Sequence, residues 1–445
     1  MGKVRRSVGL RRWLLSPETA QESQISAASP PLSRVESDVC VVANELNGDE
    51  WMRYATNRTD EQQLLNLCRQ ERPLEFSEYL KASLQSSTIR KIGEGISGEV
   101  FKARTHDGQN SVLKIIPFGG HQIINGERQK RSDEMVAELL ITLELAALRK
   151  LHSSAASDGK HFCANFAEIK EVSVVMGRYP RPLLKAWDQY RVTNPDKAYN
   201  DRPDTKALLS SNRFMVFEFA DGGICLDDYQ FSSAREAHSV LQQVTLSLWV
   251  AEDKLQFEHR DLHAGNILIR PTDKKVAEFT TPARKYVVPT RGVEVCLIDY
   301  TLSRLTVSSA HNCWGDTLEH QNTGTIVYFT DLSAETDLFL HNEDQRQLAA
   351  YCKMRDYLSS GNDWSKFCSR TNVAWIVYLA QTLAYGFQYQ RGNRLGKLTD
   401  SQIKLFTFVI KQCSKASSIE QLIDDCETAF QSTGTEKLEM SLPQQ

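Results

Sequence analysis

Ten residues, Phe257-Glu258-His259-Arg260-Asp261-Leu262-His263-Ala264-Gly265-Asn266, constrain this chain more than any other stretch. A carboxylate at Asp261 is followed five positions later by the carboxamide of Asn266. Phosphoryl transfer calls for that pairing. An attacking hydroxyl has to be held in line with phosphorus while a carboxylate accepts its proton, and a carboxamide nearby can hold a divalent cation against the phosphates. Asp261 is therefore read as the base and Asn266 as a metal ligand. Taken alone, the same string could be a helix-to-strand loop whose His and Asp only satisfy backbone groups, so the remaining sequence has to decide.

Upstream, Thr88 to Ile116 reads as three strands. Gly93, Gly95 and Gly98 form G-x-G-x-x-G between Ile92 and Val100. Dinucleotide-binding folds share these glycines but run from them into a helix. Here Glu99 to Ala103 continues as a strand, and Gly108 turns into another from Ser111 to Ile116. A glycine hairpin lying over phosphates fits that order, because the backbone must approach oxyanions without a Cβ in the way. Lys114 interrupts an apolar strand and needs a partner if buried. The helical pattern from Asp133 to Lys150, apolar at Met135, Leu139, Leu143, Ala146 and Ala147, offers Glu138 and Glu144. Glu138 is preferred because it lies early on the helix.

A buried-type strand, Arg213 to Phe219, leads into the short linker Ala220-Asp221-Gly222-Gly223. Ser232 to Phe257 is the longest helical pattern, with Ala237, Val240, Leu241, Val244, Leu248, Ala251 and Leu255 on one stripe. It delivers the chain directly to the Asp261 loop. Short strands follow at Asn266–Ile269 and Val293–Ile298, the second ending in Asp299-Tyr300-Thr301. Four further helices are expected at Asp344–Leu358, Thr371–Tyr389, Thr399–Cys413 and Ser418–Phe430.

In this order the segments resemble protein kinases, whose catalytic loop, glycine-rich loop and strand lysine have these forms. The resemblance implies an α+β, bilobal kinase fold with nucleotide between a small β-rich part and a larger helical part. It implies ATP and Mg²⁺ as cofactors. Lys114 paired with Glu138 would face the phosphates, and Asp299 with Asn266 would chelate Mg²⁺. Ile92, Gly93, Gly95, Gly98, Val100, Phe219, Ala220 and Gly222 would surround the nucleotide. Asp-Tyr-Thr departs from the usual Asp-Phe-Gly, and no Ala-Pro-Glu follows.

One branch removes both departures. From about Ile89 to Leu383 the chain is similar to the haspin family of histone H3 kinases. The similarity is carried by Lys91-Ile92-Gly93-Glu94-Gly95, Asn125 to Lys130, Phe217-Glu218-Phe219, Gly222-Gly223-Ile224, Arg260 to His263, Asp337-Leu338-Phe339 and, most specifically, Asp299-Tyr300-Thr301-Leu302-Ser303-Arg304. It implies phosphorylation of a threonine near the start of the histone H3 tail, on mitotic chromosomes in the nucleus. It also implies an activation segment that works without phosphorylation. A basic tail needs acidic contacts. Glu94, Asp227, Glu335 and Asp337, with His263, are the expected substrate-binding set, and Asp228 is a further acidic neighbour. Glu335 stands in place of a family Asp, Cys225 replaces a substrate-binding Asp, and Ala264 replaces a Trp.

Two other functions compete. A pseudokinase scaffold would not need the glycine loop, Lys114, Glu138, Asp261, Asn266 and Asp299 together. A choline- or aminoglycoside-type kinase also uses a His-x-Asp-x-x-x-x-Asn loop, but Arg260 and the Asp-Tyr-Thr-Leu-Ser-Arg string favour a protein substrate.

Composition narrows the setting. The 445 residues are 41% hydrophobic, enough for a sizeable core. A net charge of −3 supplies no global attraction to nucleic acid or an anionic membrane. Ten cysteines lack a C-x-x-C pair and read as reduced thiols of an intracellular protein. No apolar run approaches the ~18 residues of a membrane span, and a monomer is expected. Lys3, Arg5, Arg6, Arg11 and Arg12 are either a nuclear import signal or a solvated tail. Gly2 lacks the downstream Ser or Thr that myristoylation requires, because Arg6 stands there. The expected division is a disordered basic, Ser-rich tail over 1–40 and a packed extension over 41–87. The small part of the kinase covers 88–219 and the helical part 220–445.

Overall fold

A computed structural model describes residues 60–95, 98–150, 160–203, 212–308, 325–333, 335–340, 344–358, 363–391 and 394–433. The expected 1–40 tail, the start of the 41–87 extension and part of the polar stretch from Val192 to Leu209 lie outside those residues.

In chain order the principal elements begin with α1 (Asp60–Leu67), α2 (Phe76–Ser83), β1 (Arg90–Gly95), β2 (Gly98–Arg104) and β3 (Asn110–Phe118). Next come α3 (Ser132–Ala147), β4 (Ile169–Met176), α4 (Arg181–Thr193), β5 (Arg213–Ala220) and α5 (Ala234–Leu255). Then follow β6 (Ile267–Pro271), β7 (Val276–Thr280), β8 (Lys285–Pro289), β9 (Val293–Leu297), β10 (Arg304–Ser308) and β11 (Thr325–Phe329). The chain finishes with α6 (Gln345–Leu358), α7 (Arg370–Gln381), α8 (Asp400–Cys413) and α9 (Ile419–Thr433). The fold is mixed α+β.

A six-stranded sheet carries the first half, in the order Leu74–Glu75, β4, β5, β3, β2, β1. Because strand side chains alternate between faces, β5 supplies two cores at once. Met215 and Phe217 pack with α1 and α3, among them Leu64, Met135, Leu139 and Leu143. Phe214 and Val216 pack on the opposite face with Phe76 and Leu80 of α2 and Leu183 of α4. The described part of the extension thus covers the sheet rather than standing apart from it.

The second half is organised on α5. All seven residues of its predicted apolar stripe are buried in one large cluster. Ser233 caps its start by accepting the Glu236 N–H, and Gln256 ends it in the left-handed region at φ +47°. That turn releases the chain into the Asp261 loop. β6 and β9 pair antiparallel from Ile267↔Leu297 to Pro271↔Val293. Asn266 and Asp299 therefore emerge at the same end of one short ladder.

Two expectations need correction. The helix predicted over Thr371–Tyr389 ends sooner: α7 stops at Gln381 and a π turn runs from Thr382 to Gly386. Tyr389 belongs instead to a short hairpin strand, Tyr389–Arg391, paired with Arg394–Gly396. Phe387, extended at φ −103° and ψ 156°, ends the turn. The amphipathic helix α4 was not anticipated, although Leu183, Ala186, Trp187 and Tyr190 recur at helical spacing and are buried.

Candidate active site

Four elements converge on one cavity of about 890 Å³. Its walls include Ile92 of β1, Val112 and Lys114 of β3, Phe219 and Ala220 of β5, and Asp299. Glu138 and Gly222 also line it. Val112 and Lys114 share a face of β3, and Val112 lies opposite Phe219 in the ladder. Gly93, Gly95, Gly98, Val100 and Asn266 are not wall residues.

The glycines still have a mechanical role. β1 and β2 form the hairpin, closing with Gly95 opposite Gly98. A Cβ on Gly98 would sit 2.3 Å from the Ile115 carbonyl oxygen, so no side chain fits there. Val100 is buried opposite Lys114 in the sheet. Ala220 lines the cavity, but its N–H already donates to the Glu168 carbonyl at 2.9 Å. In the linker, Gly223 is left-handed at φ +105°, and a Cβ there would meet the Ile269 carbonyl oxygen at 2.2 Å.

Lys114 is the electrostatic hub. Its Nζ lies 2.9 Å from Glu138 Oε1 and 2.9 Å from Asp299 Oδ1. Burial pushes the ammonium's pKa down, yet Asp299 and Glu138 outweigh it and hold Lys114 above the ordinary lysine range. Burial likewise pushes Asp299 up, and Lys114 with the Thr301 hydroxyl more than reverses it, so Asp299 stays ionised. Thr301 Oγ1 donates to Asp299 Oδ1 at 2.7 Å. The threonine of Asp-Tyr-Thr thus fastens the aspartate that precedes it. Lys130 adds a second cation, paired with the other oxygen of Glu138. Neither Thr301 nor Lys130 stood out in the sequence as a partner of this node.

Below the cavity, Asp261 is 2% exposed. Asn266 Nδ2 donates to the Asp261 carbonyl at 2.8 Å and to Asp261 Oδ2 at 3.2 Å. The Tyr351 hydroxyl donates to Asp261 Oδ1. Burial, with Asp299 adding repulsion, pushes the Asp261 carboxyl well above the usual carboxylate range, against these hydrogen bonds and Lys114. The loop itself is built from the interior. Arg260, in the left-handed region at φ +62°, pairs with Glu258 through Nη2–Oε1 at 3.2 Å, and both side chains are 0% exposed. His259 donates through Nε2 to the Ile298 carbonyl at 3.2 Å. Burial pushes its pKa down to about 4, keeping it neutral. Ser303 Oγ donates to the His259 carbonyl at 2.9 Å, tying the catalytic loop to Asp299-Tyr300-Thr301.

The predicted substrate residues divide. Glu335 and Asp337 are exposed at the start of a 3₁₀ turn. Burial and the neighbouring charge of Glu127 push the Glu335 carboxyl up against the opposing Arg128, with Asp337 and Glu134 adding repulsion. Asp227 lies beside the catalytic loop, with Oδ2 3.8 Å from where a Gly265 Cβ would sit. His263 is 5% exposed, accepts the Gly265 N–H through Nδ1 at 2.9 Å, and places Nε2 3.9 Å from Asp261 Oδ2.

Glu94 is a correction. It is 1% exposed and does not face solvent. One oxygen pairs with the buried Lys91, and the other accepts the backbone N–H groups of Tyr199 and Asn200, the latter at 3.0 Å. Lys91 also reaches Glu99 at 2.7 Å, and Asn200 Nδ2 donates to the Gly95 carbonyl at 3.0 Å. A lysine two residues before the first glycine had to be neutralised once buried, and Glu94 is its nearest carboxylate in sequence.

A divalent cation fits the donor set. Asp299 is ionised, and Asn266 uses its amide nitrogen on Asp261, which leaves its carbonyl oxygen as a ligand. One carboxylate plus one amide oxygen, completed by phosphates and water, suits Mg²⁺ better than a soft metal. Among the described residues no cluster of three or more His, Cys, Asp or Glu is assembled to hold a metal by itself. Nor is any described helix long and apolar enough to cross a membrane.

A glycine hairpin, a cavity wall carrying a strand lysine, its helix glutamate and Asp299, and a buried Asp261–Asn266 pair that lies off that wall define the class: a protein-kinase-type domain. The haspin-like kinase domain matches residues 47–435. The chain is 33% identical over 365 residues to the haspin homologue of Drosophila melanogaster, covering 80% of this chain and 59% of the relative. Against the serine/threonine-protein kinase haspin of Bos taurus it is 37% identical over 327 residues, 73% of this chain and 38% of that one. The Arabidopsis thaliana homologue is 32% identical over 335 residues, covering 74% and 50% respectively. This chain belongs to the haspin-like kinase family. It aligns with only 38 to 59% of the length of these three relatives.

Proposed function

We propose that the chain is an ATP- and Mg²⁺-dependent serine/threonine protein kinase of two lobes, 88–219 and 220–445, with the 41–87 extension packed on the first. Its target is a threonine in a short basic segment, the N-terminal tail of histone H3, met on mitotic chromosomes in the nucleus, and the enzyme acts as a monomer. The observation that carries this reading is the single node joining Lys114, Glu138, Asp299 and Thr301 above Asp261 and Asn266.

In the reaction, Asp261 accepts the proton of the threonine hydroxyl as its oxygen attacks the terminal phosphorus. Lys114, oriented by Glu138, holds the phosphate oxygens in line. Asp299 and Asn266 would hold the cation, which when bound would supply charge to neutralise the phosphates. Glu335 and Asp337, joined by Glu127, present the negative surface that a basic peptide requires.

The test is transfer of labelled phosphate from ATP and Mg²⁺ to an H3 N-terminal peptide. Asp261→Asn should lower turnover by about 10³-fold or more while nucleotide still binds. Label appearing on choline or an aminoglycoside but never on peptide would replace the reading with a small-molecule kinase, and nucleotide binding without any transfer would make the chain a scaffold.

A further inference from the structure

The carboxylate assigned as base has an attachment that the kinase motifs do not supply. Tyr351 lies on α6, ninety residues downstream of Asp261, and is fully buried. Its ring packs edge-on against Trp375 of α7, with centroids 5.1 Å apart at 87°. Its hydroxyl reaches Asp261 Oδ1. One helical turn earlier, Gln347 Nε2 donates to that same hydroxyl at 3.3 Å. Gln347 is itself buried.

The direction of these bonds is set by the groups involved. An amide nitrogen can only donate, so the Tyr351 oxygen accepts from Gln347. Its single proton is then free to point at Asp261. Since Tyr351 has no exposed surface, Oδ1 faces the interior. Oδ2 lies on the other side, 3.2 Å from Asn266 Nδ2 and 3.9 Å from His263 Nε2.

Resting on the kinase reading above, we propose that Tyr351, oriented by Gln347, is a positioning residue that pins Asp261 Oδ1 and so assigns Oδ2 as the oxygen that takes the substrate proton. A carboxylate free to rotate about χ2 would present either oxygen at varying distance from the attacking hydroxyl, and small misplacements of a reacting group cost large factors in rate. Asn266 restrains Oδ2 at 3.2 Å, and the tyrosine completes the restraint from behind, holding Oδ1 in the buried interior away from nucleotide and peptide. Its contribution therefore belongs to kcat rather than to binding.

Tyr351→Phe keeps the ring and its packing on Trp375 and deletes one oxygen. With full-length chain, ATP and H3 peptide, kcat should fall about ten- to a hundredfold while both KM values stay within about twofold. Thermal unfolding should shift little. Gln347→Leu should show the same division with a smaller fall in kcat. The double variant should be no slower than Tyr351→Phe, because the glutamine acts only through the tyrosine. Wild-type kcat in Tyr351→Phe overturns the proposal. So does a loss of kcat accompanied by a matching rise in KM and a fall in melting temperature, which marks a packing role. Asp261→Asn separates the two levels of argument. If that variant turns over normally the base is elsewhere and the kinase mechanism itself fails, whereas an inert Asp261→Asn beside a fully active Tyr351→Phe removes only the tyrosine.

Discussion

The lysine node over the cavity and the ion pair under the catalytic loop are both built from opposite charges, yet they are held in different ways. Lys114 and Asp299 keep side-chain exposures of 17% and 19%, and they join segments 185 residues apart in sequence. Glu258 and Arg260 are two residues apart and fully enclosed, with Glu258 also accepting the Cys368 N–H at 2.9 Å and the Thr371 hydroxyl at 2.7 Å. The first pair lines the cavity and stays within reach of water and of any phosphate bound there. The second is framework: its charges see only protein. Loss of one partner should therefore damage function in the first case and folding in the second.

The sharpest way to break that contrast is Glu258→Ala. An unpaired buried guanidinium costs about 3–5 kcal/mol, so melting temperature should drop steeply and activity should vanish with it. Retention of the wild-type transition would show that water reaches Arg260 and that the frame is not dry. Lys114→Met is the counterpart. Glu138 keeps Lys130 and Asp299 can hydrate, so unfolding should move little while turnover drops about 10²- to 10³-fold. Kinetics and calorimetry on the same two proteins decide the matter, and a reversed pattern would refute the division.

Glu335→Lys probes a third kind of charge, fully outside the frame. It should raise the KM for peptide about tenfold and leave the KM for ATP unchanged. Equal effects on both would dissociate this carboxylate from the peptide path.

A pH effect concerns Glu252 of α5, which accepts the Ser369 hydroxyl at 2.6 Å and an Asn372 N–H at 2.7 Å. Burial pushes its pKa up to about 8 from the ordinary 4.5. Between those values the folded chain holds a proton that the unfolded chain has released. Folding stability from this group is therefore full below pH about 4.5, falls as pH rises to about 8, and changes no further above that. Glu252→Gln should flatten this slope in a pH series of melting temperatures, and an unchanged slope would locate the titration elsewhere.

Much of the site was legible because its parts are short strings. Gly93 to Gly98, Lys114, Asp261 to Asn266 and Asp299-Tyr300-Thr301 each carry their geometry locally, in a hairpin, a strand face or a loop end. Glu138 was chosen over Glu144 by its place on the helix, and it is the one bonded to Lys114. What escaped notice depends on tertiary contact. Gln347 and Tyr351 are an unremarkable i, i+4 pair until α6 packs behind Asp261. Lys130 lies outside its helix, and Asn200 belongs to a polar stretch with no periodic signal. Glu94 was misread because a carboxylate within a glycine loop invites assignment to a ligand, whereas the deciding fact was burial of Lys91 three residues earlier. In the fold, α2, β4, α4, the β7–β8 hairpin and the β10–β11 pair went unpredicted, although α4 repeats its apolar residues at helical spacing and β7 and β8 bury alternate residues, Ala277 and Phe279, Tyr286 and Val288.

Through Glu94, the phosphate cover is not a free flap. Its root is stitched to the backbone at Tyr199 and Asn200, 105 and 106 residues downstream. A deletion there would loosen Lys91, Glu94 and Glu99 as a set and slacken the turn that Gly95 and Gly98 close.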